Sequence, residues 1–598
     1  MCAVRNVLFI LLLLIVLLSF VGCGDRGVRL QGEDTTKFSP YGYEALFTHG
    51  NLPEIEIVIS QEEWDAHIQD MKDYAVTELF GWGMTGTYRK AKFIYKGPAG
   101  DAVINEVGFR TTGHGSRIIP QDDEGNLHRA NFKINFDETF DLKLGTDEYQ
   151  QINARRFCSL RSLILRLNIE PMGSWETSQI SELYCYDLLN KAGVYTCRTG
   201  STRLTITIDG ESHYFGIYTI LEPIDKSFLT ARYGKGNNDG NLYKCLIADS
   251  GPATLEPIPD PVPVFPEQRM IGVKDWEAHY RPTYDLKTNT DKADHTVLLD
   301  FIERLNALEG DKLKEYLDDN FEVDRFLRCQ VINVILGKWD DYWTVGDNYY
   351  LYFNNNGKIE FIPYDYHMVL GQGNNPFYNA SSGIYEFSNQ AVKLLAMWRR
   401  FPSTNLKALH YGSPLIEKML EIDEYRAKYE QYFKDFITPS NKLFLYSEYE
   451  KKFNSLYELY APYLDNDLNE GEEMINDGSV EAYFLERTKS VVDELGLNEE
   501  DYETKPAKLG TQNGVSATDK VSASIITVKR DILPFADYYR VYRSDSSDVV
   551  CEQINEDISG TSLQDESKLH MSKVAASRQQ VHPGGQVPMI AVVTKVLS

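Results

Sequence analysis

Residues 337–371, GKWDDYWTVGDNYYLYFNNNGKIEFIPYDYHMVLG, carry the reading on which the rest of the chain depends. Two apolar runs, Tyr349–Phe353 and Ile359–Pro363, flank the polar Asn354-Asn355-Asn356-Gly357. That pattern predicts a strand, a tight turn and a second strand. The pair Asp340 and Asp341 follows Trp339, Asn348 stands just before the first strand, and Asp365 comes just past the second. Side chains at the ends of strands project from a rigid frame into a mouth rather than into a core. Acid, amide and acid in this arrangement are hard oxygen donors, the kind that hold Mg²⁺ on phosphates. The same spacing also fits a solvated hairpin with polar ends.

Working outward, residues 294–338 have helical period, with Leu298, Phe301, Ile302 and Leu305, then Phe326, Leu327, Val331 and Ile335 on repeating faces. Residues 413–497 form a second, acidic and Tyr-rich helical block. Its Asp465-Asn466-Asp467 begins like a calcium loop, but Glu470 stands where that loop needs Gly, so it reads as a turn. The N-terminal part is strand-rich. Residues 54–59 alternate strictly, and Ala91–Tyr95, Val103–Phe109 and Phe132–Phe136 are further strands. Thr202–Asp209 and Tyr214–Leu221 make a hairpin about Asp209-Gly210. The fold class expected is α+β, with a β-rich N-terminal part and a helical C-terminal part.

Between two of these strands lies Arg110-Thr111-Thr112-Gly113-His114-Gly115-Ser116-Arg117, and the strand after it carries Lys133 opposite the face of Phe132, Ile134 and Phe136. A Gly turn lets backbone N–H groups approach phosphate, and a lysine adds a point charge. An ordinary surface hairpin has the same look. The hairpin ending Glu222-Pro223-Ile224-Asp225 offers acids that either pair with Lys133 or cap the helix that follows.

The chain has 598 residues, enough for several domains, and 42% hydrophobic content excludes a mostly disordered protein. With 61 basic against 88 acidic residues and no basic block, nucleic acid is not expected as a partner. After Arg5 an uncharged run reaches Gly22 and Cys23, too short for a comfortable transmembrane helix. Residues 1–23 therefore read as a lipoprotein-type signal peptide, with a lipid on Cys23 as the membrane partner and an extracytoplasmic, cell-surface location. Phe20 departs from the usual Leu, and a plain signal peptide or uncleaved anchor is the alternative. Residues 24–50 suit a tether. The remaining cysteines include no Cys-x-x-Cys pair and read as buried thiols, with one or two disulfides allowed in an exported chain.

Beyond a linker at 498–514 the texture is all-β. Residues 515–598 resemble a fibronectin type III module, with GVSAT opening it, ADYYRVYRS in the middle and MIAVVTKVLS last, though the Trp such modules often carry is replaced near Arg530.

Several separated pieces are similar to the CotH kinase family, named for spore coat protein H. They are GFRTTGHGSR, FKINF, YFGIYTILEPID, GNLYK, WDDY with DNYYLYFNNNGKIEFIPYDY, and PLIEKMLEIDEYRAKY. The resemblance covers residues 51–435, leaving 436–497 as a helical extension. It implies an atypical protein-kinase-like fold, ATP and Mg²⁺ (or Mn²⁺) as cofactors, and a protein substrate or surface partner. It also implies that Arg110, Gly113 and Ser116 lie on the nucleotide loop, with Lys133 or Arg129 facing phosphate and Glu222 as its ionic partner. Asp340 would be the catalytic Asp that orients the acceptor hydroxyl, with Asp341 the reserve candidate for the base, and Asn348 and Asp365 the metal pair. The family usually ends the key stretch Pro-Trp-Asp-x-Asp; here it is Pro363-Tyr364-Asp365-Tyr366-His367, and a neutral nitrogen replaces an oxygen that Mg²⁺ prefers. Two functions follow from this: an exported kinase acting on Ser/Thr of surface or coat proteins, or a weakly active scaffold that keeps the fold. A glycan-acting lipoprotein is a third, requiring Asp340 and Asp365 at a glycosidase separation.

Overall fold

The computed structural model describes residues 40–77, 86–113, 117–167, 180–248, 250–258, 269–275, 280–371, 383–385, 412–468, 474 and 479–505, and the backbone of strands beyond residue 515. The signal peptide, Cys23 and Ser116 lie outside the described residues. The chain divides into two compact units, one spanning the chain to residue 378 with 386–433 and 447–474, the other holding 379–385, 434–446 and 475–598.

In the first unit a closed barrel is built from β1 (Glu54–Ile59), β2 (Arg89–Lys96), β3 (Ala102–Thr111), β4 (Phe132–Asn135), β5 (Ser162–Arg166), β6 (Thr199–Ile208) and β7 (Glu211–Leu221). Their order is β1-β2-β3-β4-β5-β7-β6, with β6 returning parallel to β1. Closure leaves no unpaired edge. The alternation of β1 explains its placement: Ile55, Ile57 and Ile59 are buried while Glu54 and Glu56 face outward. Aromatic rings fill the interior, with Phe93 edge-on to Phe136 and Phe157, and Phe109 stacked on Phe132. Each such ring contributes about 1.5–3 kcal/mol by burial. The β6–β7 turn has Asp209 and Gly210 both at positive φ, the two-residue turn that suits strand twist.

A second sheet comprises β8 (Asn241–Cys245), β9 (Ile271–Gly272), β10 (Tyr284–Leu286), β11 (Tyr349–Phe353) and β12 (Ile359–Pro363), ordered β12-β11-β8-β10-β9. β11 and β12 cover the residues predicted for them, and Pro363 is tolerated because β12 is an edge strand. Gly240 has a packing reason to lack a side chain, since a Cβ there would sit 1.8 Å from the Phe353 carbonyl oxygen. Helices Thr296–Ala307, Gly310–Asn320 and Val323–Leu336 follow the apolar period, and the last stops on Gly337 at φ +66. That stop delivers the chain to Asp340.

The fold begins earlier than the tether reading allows. Pro40–Leu46 is a helix whose Tyr43 and Leu46 join the barrel's core, so only the residues before it are left to a tether. Cys158, Cys185, Cys197, Cys245 and Cys329 are free thiols, so the allowed disulfides are not made among these five. Among the described residues no helix is long and apolar enough to cross a membrane.

In the second unit, Phe484 on the helix Ser479–Glu494 stacks on Phe444 at 4.3 Å between ring centres, and Glu494 accepts the Ile384 N–H at 2.7 Å. Toward the C-terminus the backbone pairs into a three-stranded and a four-stranded sheet, in which Tyr539–Ser544 runs parallel to Met589–Thr594. The fibronectin type III reading goes beyond these pairings and remains a proposal.

Candidate active site at the mouth of the second sheet

Tyr349 stands opposite Pro363 in the β11–β12 ladder, and pairing continues one step further, where the Tyr364 N–H donates to the Asn348 carbonyl at 3.0 Å. Asn348 and Asp365 thus come to one mouth. Both have left-handed backbones, φ +57 and +65. For residues other than glycine that conformation costs about 1–3 kcal/mol, and it concentrates at functional sites. The Asn348 amide Nδ2 donates to the Asp340 carbonyl at 3.2 Å, bringing the third predicted residue to the same place.

Asp341 has a different job. It is buried and caps the short helix Tyr342–Val345, accepting from the Thr344 N–H, the Thr344 hydroxyl and the Asn333 amide, each at 3.0 Å. Both of its oxygens are thus engaged in the cap, which sets it apart from Asp340.

The two remaining acids are in opposite electrostatic states. Burial and then the nearby Asp347 carboxylate push Asp340 up to about 7, with Asp365 adding to the effect. Burial opposes ionisation of Asp365 as well, but Arg166 and His367 outweigh it and hold its carboxyl well below the usual range. Arg166 Nη2 donates to Asp365 Oδ1 at 2.9 Å, and His367 Nδ1 lies 2.5 Å from the same oxygen. Arg166, the last residue of β5, also pairs with Glu182 at 3.3 Å. The Asp365 N–H donates to the Tyr186 hydroxyl at 2.9 Å. Lys338 is buried beside these acids, its ammonium 4.8 Å from the centre of the Tyr366 ring.

Among the described residues no three His, Cys, Asp or Glu side chains close into a ready-made metal cage. The donor set still fits a hard divalent cation. Burial first, and then the neighbouring Asp347 and Asp365 carboxylates, raise the proton affinity of Asp340, and Asn348 brings an amide oxygen. His367 turns Nδ1 to Asp365, so that nitrogen is engaged.

Across the chain, residues 114–494 match the family described as CotH kinase protein. The chain belongs to the CotH kinase family. Members of that family are atypical protein kinases, and membership implies ATP as the phosphoryl donor. The chain is also similar to invasin CotH2 of Rhizopus delemar, 24% identical over 214 residues. That likeness covers 33% of this chain and spans 30% of the invasin's length.

The residues that the CotH resemblance assigns to nucleotide are placed differently from one another. Arg110 and Lys133 are cross-strand neighbours on β3 and β4, with the Arg110 guanidinium 4.9 Å from the Tyr88 ring centre. Gly113 has φ +123, as a tight loop requires, and its carbonyl accepts from Arg117 at 3.1 Å. Arg129, in the segment leading into β4, is buried and donates to the Ile217 carbonyl of β7 at 2.8 Å.

Glu222 is not the partner of Lys133. It is fully buried and held by Arg232 at 2.7 and 2.9 Å, by the Arg198 N–H at 3.0 Å, and by the Tyr43 hydroxyl. Its oxygens are spent on a structural ion pair ten residues away along the chain. Lys133 lies close enough to act on Asp225, after Arg161, and Asp225 also caps the helix Lys226–Tyr233.

Arg166, Asp347, Lys244 and Lys338 belong to this neighbourhood and were given no role from sequence. Asp347 adjoins Asn348 and Lys244 closes the GNLYK motif, so both were within view. Arg166 ends an apolar run and looks like any strand terminus.

Proposed function

We propose that this chain is an exported, lipid-anchored CotH-type kinase that transfers phosphate from ATP to Ser or Thr hydroxyls of surface or coat proteins. The observation that carries this reading is the meeting of Asp340, Asn348 and Asp365 in one mouth formed by a single hairpin. Asp340 takes the acceptor hydroxyl's proton as its oxygen bonds to the γ-phosphorus; the bond to the β-phosphate oxygen breaks and ADP leaves. Asn348 and Asp365 are the residues that would hold Mg²⁺ or Mn²⁺, which when bound neutralises charge on the phosphates. Arg166 orients Asp365 and keeps it ionised. The signal peptide with Cys23, the location outside the cytosol, and the fibronectin type III tail are parts of this proposal that rest on sequence alone.

One observation favours a second reading, in which the fold serves as a surface scaffold with little activity: a single Asp365 oxygen is already engaged by both Arg166 and His367. Transfer of radiolabel from γ-labelled ATP to the full chain or to a generic Ser/Thr protein separates the two. The kinase reading expects divalent-cation-dependent labelling that disappears in Asp365→Ala. An absence of labelling with Mg²⁺ and with Mn²⁺, together with no thermal shift on adding ATP, overturns it in favour of the scaffold.

A further inference from the structure

Glu222 is spent on Arg232 rather than on Lys133, and a second lysine stands beside the site. Lys244 lies in the middle of the second sheet, directly opposite Tyr350 of β11 on one side and Asp285 of β10 on the other. Directly paired residues of neighbouring strands share a face. Its ammonium is 5.2 Å from the centre of the Tyr364 ring, next in sequence to Asp365. Asp285 is buried, forms an ion pair with Lys287, and accepts the Lys274 N–H at 3.2 Å. Arg281 lies close enough to act on both Lys244 and Lys274.

Lys244, Lys274 and Lys287 therefore gather about Asp285, Arg281 acts on the first two, and Asp347 and Asp365 act on Lys244 with opposite sign, in a protein whose net charge is −27. The crowding is costly: burial and then repulsion from Arg281 and Lys287 push Lys244 down to about 8 and Lys274 to about 5. Like charges gathered this closely repel one another, so stability of the fold does not call for the arrangement. An anion with several charges reverses the sign of every one of these interactions.

We propose that Lys244, Lys274, Arg281 and Lys287 form the subsite for the phosphate chain of the nucleotide, with Lys244 closest to the transferring end. The assignment rests on the kinase reading above, because it places the phosphates beside Asp365. It moves the principal phosphate lysine from the barrel strand β4 to the second sheet.

Calorimetric titration of the full chain with inorganic tripolyphosphate, and the KM for ATP in the transfer assay, test it. Wild type is expected to bind tripolyphosphate in EDTA-containing buffer. Lys244→Met should weaken that binding and raise the KM for ATP by tenfold or more, with Lys244→Arg retaining most of both. Lys287→Gln, at a side chain one-third exposed, guards against a folding artefact and should weaken binding about threefold at an unchanged melting temperature. If wild type transfers phosphate while Lys244→Met and Lys287→Gln keep the wild-type KM, the subsite assignment is wrong and the kinase reading survives. If wild type binds tripolyphosphate through Lys244 but transfers nothing, the anion site stands and the kinase reading fails. If wild type binds no tripolyphosphate, the subsite is refuted.

Discussion

Arg166 and Asp365, 199 residues apart, meet at 2.9 Å and tie the end of a barrel strand to the end of the hairpin that bears the site. The contact is almost wholly buried, with Arg166 side chain 7% and Asp365 17% exposed. Removing one member of such a pair leaves a charge without its partner, which is more costly than never having made the pair.

Arg166→Met should accordingly destabilise the protein by about 3–5 kcal/mol, because Asp365 and Glu182 both lose their counter-charge. The double variant Arg166→Met/Asp365→Asn should recover part of that loss. Urea unfolding of the three proteins measures it. A single variant within 1 kcal/mol of wild type would show that the pair does not couple the two parts.

Asp340 and Asp341 should separate cleanly. Asp341→Ala removes a helix cap and strands the Asn333 and Thr344 donors, so a loss of about 1–3 kcal/mol is expected. Asp340→Asn relieves a buried carboxyl crowded by Asp347, and should leave the melting temperature unchanged or higher while abolishing phosphate transfer. The opposite assignment of stability and activity would identify Asp341 as the base.

His67 packs between Trp64 and Phe109, with both ring nitrogens buried and without a hydrogen-bond partner. Burial first, and then Arg89, Arg110 and Arg117, lower its pKa to about 3. In the unfolded chain the ring protonates near 6.5; in the folded chain it stays neutral to about 3. The unfolded state therefore binds the extra proton as pH falls through this window, and stability present above pH 6.5 is progressively lost below it. His67→Phe should abolish about 2–3 kcal/mol of that loss at pH 4.5 while changing little at pH 7.5. Thermal unfolding of both proteins across pH 4.5–7.5 reads this directly, and parallel curves would contradict it.

Glu222 provides the counterpart on the barrel. Glu222→Gln leaves Arg232 buried opposite a neutral amide and should lower stability by about 3 kcal/mol or more. Below its melting temperature the variant should keep the wild-type KM for ATP. A KM raised tenfold in folded protein would restore Glu222 to the nucleotide site.

What the sequence made legible was local. The strands Tyr349–Phe353 and Ile359–Pro363, the Asp209-Gly210 turn and the helices up to Leu336 depend on period, β-branched or aromatic content and a few turn residues, all visible within ten positions. Asp340, Asn348 and Asp365 were found together because one hairpin encodes their approach. Ion-pair partners were not legible in the same way. Glu222 chose Arg232 over Lys133 because the helix following Asp225 folds back beside it, and Lys244 gains its neighbours from Asp285 and Asp347, which lie far along the chain. The sequence also gave no reason to prefer Asp340 to its neighbour; only the cap made by Asp341 separates them.

The most direct test of the central claim is crystallographic: the full chain soaked with a non-hydrolysable ATP analogue and Mn²⁺, with anomalous diffraction recorded at the manganese edge. The expected result is a manganese peak held by the Asp365 carboxylate and the Asn348 amide oxygen, with the triphosphate running from it toward Lys244 and with Asp340 facing the γ-phosphate. A peak elsewhere, or nucleotide bound with Asp365 still closed against Arg166 and His367 and no metal between, would contradict it.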